Sequence, residues 1–305
     1  MQHVTDKPTD AADVLEKRKR TVPWTSGNGE TAFGAPRDFL DNRFVYAVIS
    51  PRAKGLSVGV NMNPDKLCNF DCAYCEVHRA VPSREQSLDV DVMAAELQQT
   101  LEFVRAGRLR EHPHYRVMPD ELLELRHVTL SGDGEPTLCP NFEEAVEAVV
   151  HVRALGSFFK MVLITNGTEL DRPQVQEGLR HFTRSDEVWA KLDGGSQAYL
   201  NKVSKVHVPL ERIMANIIAV GRQRPVIIQS LFPAVHHEEP PLEEIDAFAQ
   251  RLLELKNGGA QISLIQIYSA TRPSPKSECG HLPLRCLSRI AQAVRQVTGL
   301  KAEVF

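Results

Sequence analysis

The chain has 305 residues, of which 42% are apolar and 25% charged, with a formal net charge of −3. That length allows a large core, in one barrel or two ordinary domains. No apolar run approaches the roughly 18 residues of a membrane-spanning helix, and the slightly acidic balance gives no general attraction to nucleic acid.

Residues 1 to 43 are polar and rich in Gly, Pro and Thr, and read as an N-terminal arm or cap. The segment Met1–Arg20 lacks the apolar stretch of a secretory signal. Six cysteines make a poor disulfide framework in so long a chain, so a cytoplasmic, reducing location is expected. Residues 44–305 are expected to form one domain.

From Leu56 onward, six short apolar runs alternate with amphipathic stretches, the pattern of repeated βα units around a parallel sheet. The runs are Leu56–Met62, His127–Ser131, Lys160–Thr165, Glu187–Asp193, Val226–Phe232 and Gln261–Tyr268. Helical spacing fills the intervals: Val92, Ala95, Leu97 and Leu101, then Phe142, Val146, Val149 and Val150 behind the N-cap candidate Asn141. Further apolar stripes begin at Leu210, Leu242 and Leu287. Such units make either an open doubly wound sheet or an incomplete β/α barrel. The unusual residues gather at strand ends, where barrels place their active sites, so an incomplete (β/α)6 barrel is expected.

The first strand runs into Cys68, Cys72 and Cys75, a Cys-x3-Cys-x2-Cys triplet with no fourth cysteine nearby. Structural zinc needs four closed ligands, and His78 is the nearest candidate for a fourth. Three thiolates suit three irons of a [4Fe-4S] cluster and leave one iron open to a ligand. The second strand ends in Gly132-Asp133-Gly134-Glu135-Pro136, whose glycines permit close backbone approach and whose carboxylate suits a cationic amine.

With Tyr74 two residues after Cys72, these two motifs resemble the radical S-adenosylmethionine superfamily. A narrower resemblance runs from Phe44 to about Pro275. Its motifs include Ser50-Pro51-Arg52, Leu56 to Asn61, and Ile267-Tyr268-Ser269-Ala270-Thr271-Arg272-Pro273. That group is classed beside the wybutosine tRNA-modifying synthetase. The resemblance implies a [4Fe-4S] cluster on Cys68, Cys72 and Cys75, with S-adenosylmethionine on the open iron. It implies reductive cleavage to a 5′-deoxyadenosyl radical that abstracts hydrogen from a tRNA base, small molecule or peptide. An external flavodoxin- or ferredoxin-like donor would supply the electron. Gly132, Asp133, Gly134 and Glu135 are then expected at the methionine amine, and Tyr74 and Tyr268 at the adenine. Asn166, Lys191, Asp193 and Gln229 are expected near the ribose, carboxylate or sulfonium. A non-enzymatic electron carrier or redox sensor is the competing reading.

Other polar residues have plainer readings. Asn166-Gly167 suits a simple turn, Lys191 and Asp193 a structural ion pair, and Gln229 needs a hydrogen bond inside its apolar run. Cys139, Cys279 and Cys286 read as ordinary thiols, and His236-His237-Glu238-Glu239 as a solvated loop. Lys17–Arg20 and Arg105–Arg116 are the two basic concentrations. Arg272 stands where an anion could be clamped.

Overall fold

The computed structural model describes residues 31–32, 35–36, 39–270, 276 and 278–305. Most of the expected arm, with Lys17–Arg20 and Arg272, lies outside them. All six apolar runs form strands of one sheet: β2 (Gly55–Asn61), β3 (Leu125–Ser131), β4 (Met161–Thr165), β5 (Glu187–Lys191), β6 (Val226–Leu231) and β7 (Ile262–Tyr268). Two strands join them. Val45–Ser50 forms β1, antiparallel to β2, and Ala302–Val304 forms β8, parallel to β7. The spatial order follows the chain from β1 to β8, and every pair after β1–β2 is parallel.

The parallel pairs require crossovers, and helices supply them. They are α1 (Val90–Arg105), α2 (Phe142–Leu155), α3 (Pro173–Arg180), α4 (Gln197–Val203), α5 (Leu210–Gln223), α6 (Leu242–Asn257) and α7 (Leu284–Thr298). Asp89 caps α1 by accepting from the Val92 amide at 3.1 Å. Asn141 does stand at the start of α2, but it makes no cap bond. Its Nδ2 instead donates to the Leu88 carbonyl at 3.3 Å.

Strand alternation divides the sheet into two chemically distinct faces. Leu56, Val58, Val60, Val128, Leu130, Met161, Leu163, Val188, Ala190, Val226, Ile228, Ile265 and Ile267 join the helices in one continuous core. Each large aliphatic side chain buried there contributes roughly 1.5–3 kcal/mol. The opposite, concave face carries Tyr46, Ser57, His127, Thr129, Trp189 and Gln229, which line a cavity of about 310 Å³.

The sheet edges β1 and β8 do not pair, so the barrel is incomplete. The β1–β2 hairpin leans across this opening. Lys54 reaches Glu303 on β8 at 3.8 Å, and the Arg52 guanidinium sits 4.2 Å over the Tyr268 ring of β7. Glu96 on α1, fully buried, fixes the start of β1: its carboxylate accepts from the amides of Arg43 and Phe44 at 2.8 Å and Val45 at 3.2 Å.

Candidate functional site

β2 ends at Asn61, and the chain then turns through the cysteine loop, whose free thiols Cys68, Cys72 and Cys75 all line the cavity. The loop is anchored by its backbone. The amides of Asp71 and Ala73 donate to the carbonyls of Ser204 and Val203, at 3.2 and 2.8 Å. Side chains at the end of β4 add to this: Asn69 donates to Thr168 Oγ1 and accepts from Asn166 Nδ2, each at 2.7 Å. Lys276 closes over the loop, donating to the carbonyls of Asp71 and Cys72 at 2.9 and 3.1 Å.

The turn after β3 is welded to this loop. Asn61 donates through Nδ2 to Asp133 Oδ2 at 2.9 Å and accepts from the Asp133 amide at 3.0 Å. The Glu135 amide donates to the Leu67 carbonyl, one residue before Cys68, at 2.9 Å. Neither Gly132 nor Gly134 has positive φ; what they provide is space. A β-carbon on Gly132 would meet Asn61 Oδ1 at 2.9 Å and the Asn63 amide at 3.0 Å. The close backbone approach expected for a ligand is thus, at Gly134, an approach to Leu67.

Glu135 is buried, and four donors already meet its carboxylate. Oε1 accepts from the Thr137 amide at 3.2 Å, Thr137 Oγ1 at 2.6 Å and Thr165 Oγ1 at 2.5 Å. Oε2 accepts from the Asn166 amide alone, at 2.7 Å, which leaves a lone pair on that oxygen. Burial pushes the carboxyl pKa up, and these donors oppose the shift.

At the end of β5, Lys191 and Asp193 form the ion pair anticipated as one reading of their alternation, at 3.2 Å. Only Lys191 lines the cavity. Asp193 stands behind it, accepting from the Leu231 amide at 2.8 Å and from the Tyr74 hydroxyl. Lys191 Nζ lies 5.1 Å from the Tyr74 ring centre and 5.8 Å from that of Tyr268. Burial alone would lower the ammonium pKa, but Asp193, Tyr268 and Cys72 outweigh it and hold the value above the usual one. Tyr74 is held well above its usual value by burial and by Asp193.

Gln229 finds its partner in Gln266, donating from Nε2 to Oε1 at 2.8 Å. Asn166 and Gly167 leave β4 through a bend that precedes a turn beginning at Thr168, with Gly167 at φ 80°, and Asn166 lines the cavity while its Oδ1 accepts from Thr168. Tyr74, Gly132, Asp133, Gly134, Glu135, Asn166, Lys191, Gln229 and Tyr268 therefore share one cavity with the three thiols. Arg52 and Asn61 fall within the motifs quoted for the narrower resemblance, but neither is assigned a role from sequence. Their partners lie 72 residues away for Asn61 and on β7 for Arg52.

The donor set suits a polynuclear cluster. Among the described residues no three His, Cys, Asp or Glu side chains converge as on a single metal ion. A [4Fe-4S] cluster makes no such demand, because each cysteine binds a different iron. Without metal Cys68 and Cys72 hold their protons: burial raises Cys68, and burial with the nearby Asp193 pushes Cys72 up to about 12. Ligation therefore releases protons.

Outside the cavity, Cys139 and Cys286 are buried free thiols and Cys279 a partly buried one. His236 and His237 occupy a left-handed turn, and Glu238 and Glu239 pair with Lys202 and Arg285. In the basic stretch Arg108 pairs with Glu111, Arg110 with Asp120, and Arg105 donates to the Ser157 carbonyl.

Residues 62–252 match the family model of the Radical SAM superfamily. A UPF0026 protein of Helicobacter pylori is 26% identical over 58% of this chain and 52% of its own length. A UPF0026 protein of Methanocaldococcus jannaschii is 26% identical over 57% and 48%. The chain spans about half the length of these curated relatives.

Among solved structures, Streptococcus suis SuiB bound to S-adenosylmethionine superposes with a TM-score of 0.55 at 14% identity, over 80% of this chain and 49% of that one. TYW1 with a lysine–pyruvate adduct gives 0.52 at 14% identity, over 95% and 90%. These likenesses show a shared partial-barrel fold. No helix among the described residues is long and apolar enough to cross a membrane. The chain belongs to the Radical SAM superfamily, whose cofactors are a [4Fe-4S] cluster and S-adenosylmethionine.

Proposed function

We propose that this enzyme cleaves S-adenosylmethionine reductively and uses the product radical on a substrate held in the concave face of the sheet. One observation carries the reading: the three cysteines and the Gly132–Glu135 turn line the same cavity, joined by the Glu135–Leu67 hydrogen bond. An electron carrier has no use for an amine-sized acceptor beside its cluster.

Cys68, Cys72 and Cys75 would hold the cluster. Bound there, cluster and S-adenosylmethionine supply a 5′-deoxyadenosyl radical for hydrogen abstraction, the electron coming from an external flavodoxin- or ferredoxin-like protein. Glu135 Oε2, with its remaining lone pair, and the backbone of Gly132, Asp133 and Gly134 receive the methionine ammonium. Tyr74 and Tyr268 flank Lys191 as the ring surfaces against which adenine packs. Asn166 and Gln229 offer polar groups to the ribose, and Lys191, kept charged by Asp193, stands ready for a carboxylate. The residues framing this cavity exclude water from the radical.

The cations of Arg105–Arg116 that engage Glu111, Asp120 and Ser157 favour a small molecule over tRNA. Anaerobic reconstitution is expected to give about four irons per chain, and dithionite with S-adenosylmethionine to release 5′-deoxyadenosine. Alanine at Cys68, Cys72 or Cys75 abolishes both. Iron-loaded protein that binds no S-adenosylmethionine and releases no 5′-deoxyadenosine would overturn the reading in favour of a carrier or sensor.

A further inference from the structure

Among the described residues, three cationic side chains line the cavity: Arg52, Arg79 and Lys191. Two are engaged. Lys191 pairs with Asp193, and Arg79 donates to the Lys66 carbonyl. Arg52 makes no ion pair or hydrogen bond with any described residue, and its Nε is buried without a partner. A buried donor left without a partner carries the full desolvation penalty of that group, more when the group is charged.

The contact that holds Arg52 explains its position without satisfying its donors. Its guanidinium lies 4.2 Å over the Tyr268 ring, a cation–π contact that fixes the head group through charge. Its terminal N–H groups, which are not buried, remain available in a planar fork, the geometry that matches a carboxylate or phosphate in two parallel bonds. A structural arginine at a hairpin is ordinarily satisfied by carbonyls or acids, as Arg126 is by the carbonyls of Lys54 and Glu121. Arg52, in the β1–β2 hairpin whose Lys54 carbonyl Arg126 reaches from β3, lines the cavity instead.

Its backbone enters the cavity away from the cysteine loop and the Gly132–Glu135 turn, although its guanidinium shares the Tyr268 ring. Ser50 pairs with Gly55, at the start of β2, whereas the cysteine loop follows the other end of that strand. Arg52 therefore enters from the β1–β2 hairpin, on the open edge of the barrel, and the Gly132–Glu135 turn enters from the end of β3. Both line the one cavity.

We propose that Arg52 is a substrate-binding residue, and that the substrate carries a carboxylate or phosphate group that this guanidinium grips. The proposal rests on the radical S-adenosylmethionine reading of the same cavity.

The test is calorimetric titration of cluster-loaded, S-adenosylmethionine-saturated protein at low ionic strength with inorganic phosphate and, separately, with acetate. The unsubstituted protein is expected to bind one anion per chain. Arg52→Gln weakens binding by roughly tenfold or more, and Arg52→Lys, which keeps the charge and loses the fork, falls between. All three retain their iron and the same S-adenosylmethionine affinity. Preference for phosphate marks a phosphorylated substrate, and preference for acetate a carboxylic acid.

No saturable binding, or equal binding by Arg52→Gln, overturns the proposal. Loss of S-adenosylmethionine binding in Arg52→Gln overturns it too, by assigning Arg52 to the cofactor while leaving the function intact. Absence of iron and of 5′-deoxyadenosine formation in the unsubstituted protein would sink the functional reading itself.

Discussion

Gly134 and Leu67 approach so closely that a β-carbon on Gly134 would lie 1.8 Å from the Leu67 carbonyl oxygen and 2.8 Å from the Asn63 side chain. The obstacle is backbone, so no rotamer change relieves it. Gly134→Ala must push the turn and the cysteine loop apart, breaking the Glu135–Leu67 hydrogen bond. Iron content after reconstitution should fall by about half or more, because loop order and cluster binding are coupled. Gly280→Ala is the control, since its nearest neighbours stand at 3.9 Å. Iron assay and visible absorbance of both variants check the prediction, and full loading of Gly134→Ala defeats it.

Asp193→Asn should leave Lys191 charged without its counterion and weaken the hold on Tyr74. Removing one partner of a fully buried pair costs roughly 3–5 kcal/mol, and the partial exposure of Lys191, 18%, reduces this to about 2–3 kcal/mol. Adding Lys191→Met should recover much of the loss, because the uncompensated charge is then gone. Denaturant unfolding of the single and double variants measures the coupling. Additive losses would mean that the two side chains act independently.

The six apolar runs were legible because a strand covered by helices must show several β-branched or aliphatic residues together, and each run falls within two residues of its strand. β1 and β8 were not. Val45–Ser50 alternates at the very start of the domain and pairs only on one side, and Ala302–Val304 is three residues long. The cysteine triplet and the Gly-rich turn could be read because their chemistry is local in sequence. Asn61, Asp193 and Arg52 act through partners distant in the chain, and nothing in composition or period records those meetings. Asp193 was expected to face the ligand; the structure puts it behind Lys191, accepting from Leu231 and Tyr74. Glu96 escaped notice because a charged residue on an apolar stripe looks like an interruption until the three amides it accepts are seen.

His127 gives the fold a dependence on pH. Burial, with Lys160 nearby, lowers its pKa from the usual 6.5 to about 3, and its ring stands edge-on to Trp189 at 5.3 Å. Between those values the unfolded chain holds a proton that the folded one refuses. This contribution is therefore complete above about pH 6.5 and is lost as the pH falls toward 3, with a slope of at most about 1.4 kcal/mol per pH unit. His127→Gln has no such proton. Urea midpoints between pH 7 and 5 should decline less steeply in the variant, and identical slopes would remove His127 from the account.

Glu135 is the residue where scaffold and ligand functions meet, and its variants separate them. Its carboxylate ties Thr137, Thr165 and Asn166 to the turn, so Glu135→Ala strands four donors and removes the acceptor proposed for the methionine ammonium. S-adenosylmethionine affinity should fall by about tenfold or more. Thr165→Val removes one donor while sparing the carboxylate, and should cost about threefold or less. Glu135→Gln keeps the shape but substitutes a donor for one oxygen; in place of Oε2 it repels the Asn166 amide and the ligand ammonium together, in place of Oε1 the Thr137 amide, so it belongs nearer to alanine. Equilibrium binding of S-adenosylmethionine to the cluster-loaded variants gives this order directly. Should Thr165→Val prove as damaging as Glu135→Ala, the carboxylate holds the turn and the ammonium is bound by backbone; should Glu135→Ala bind normally, neither role belongs to Glu135.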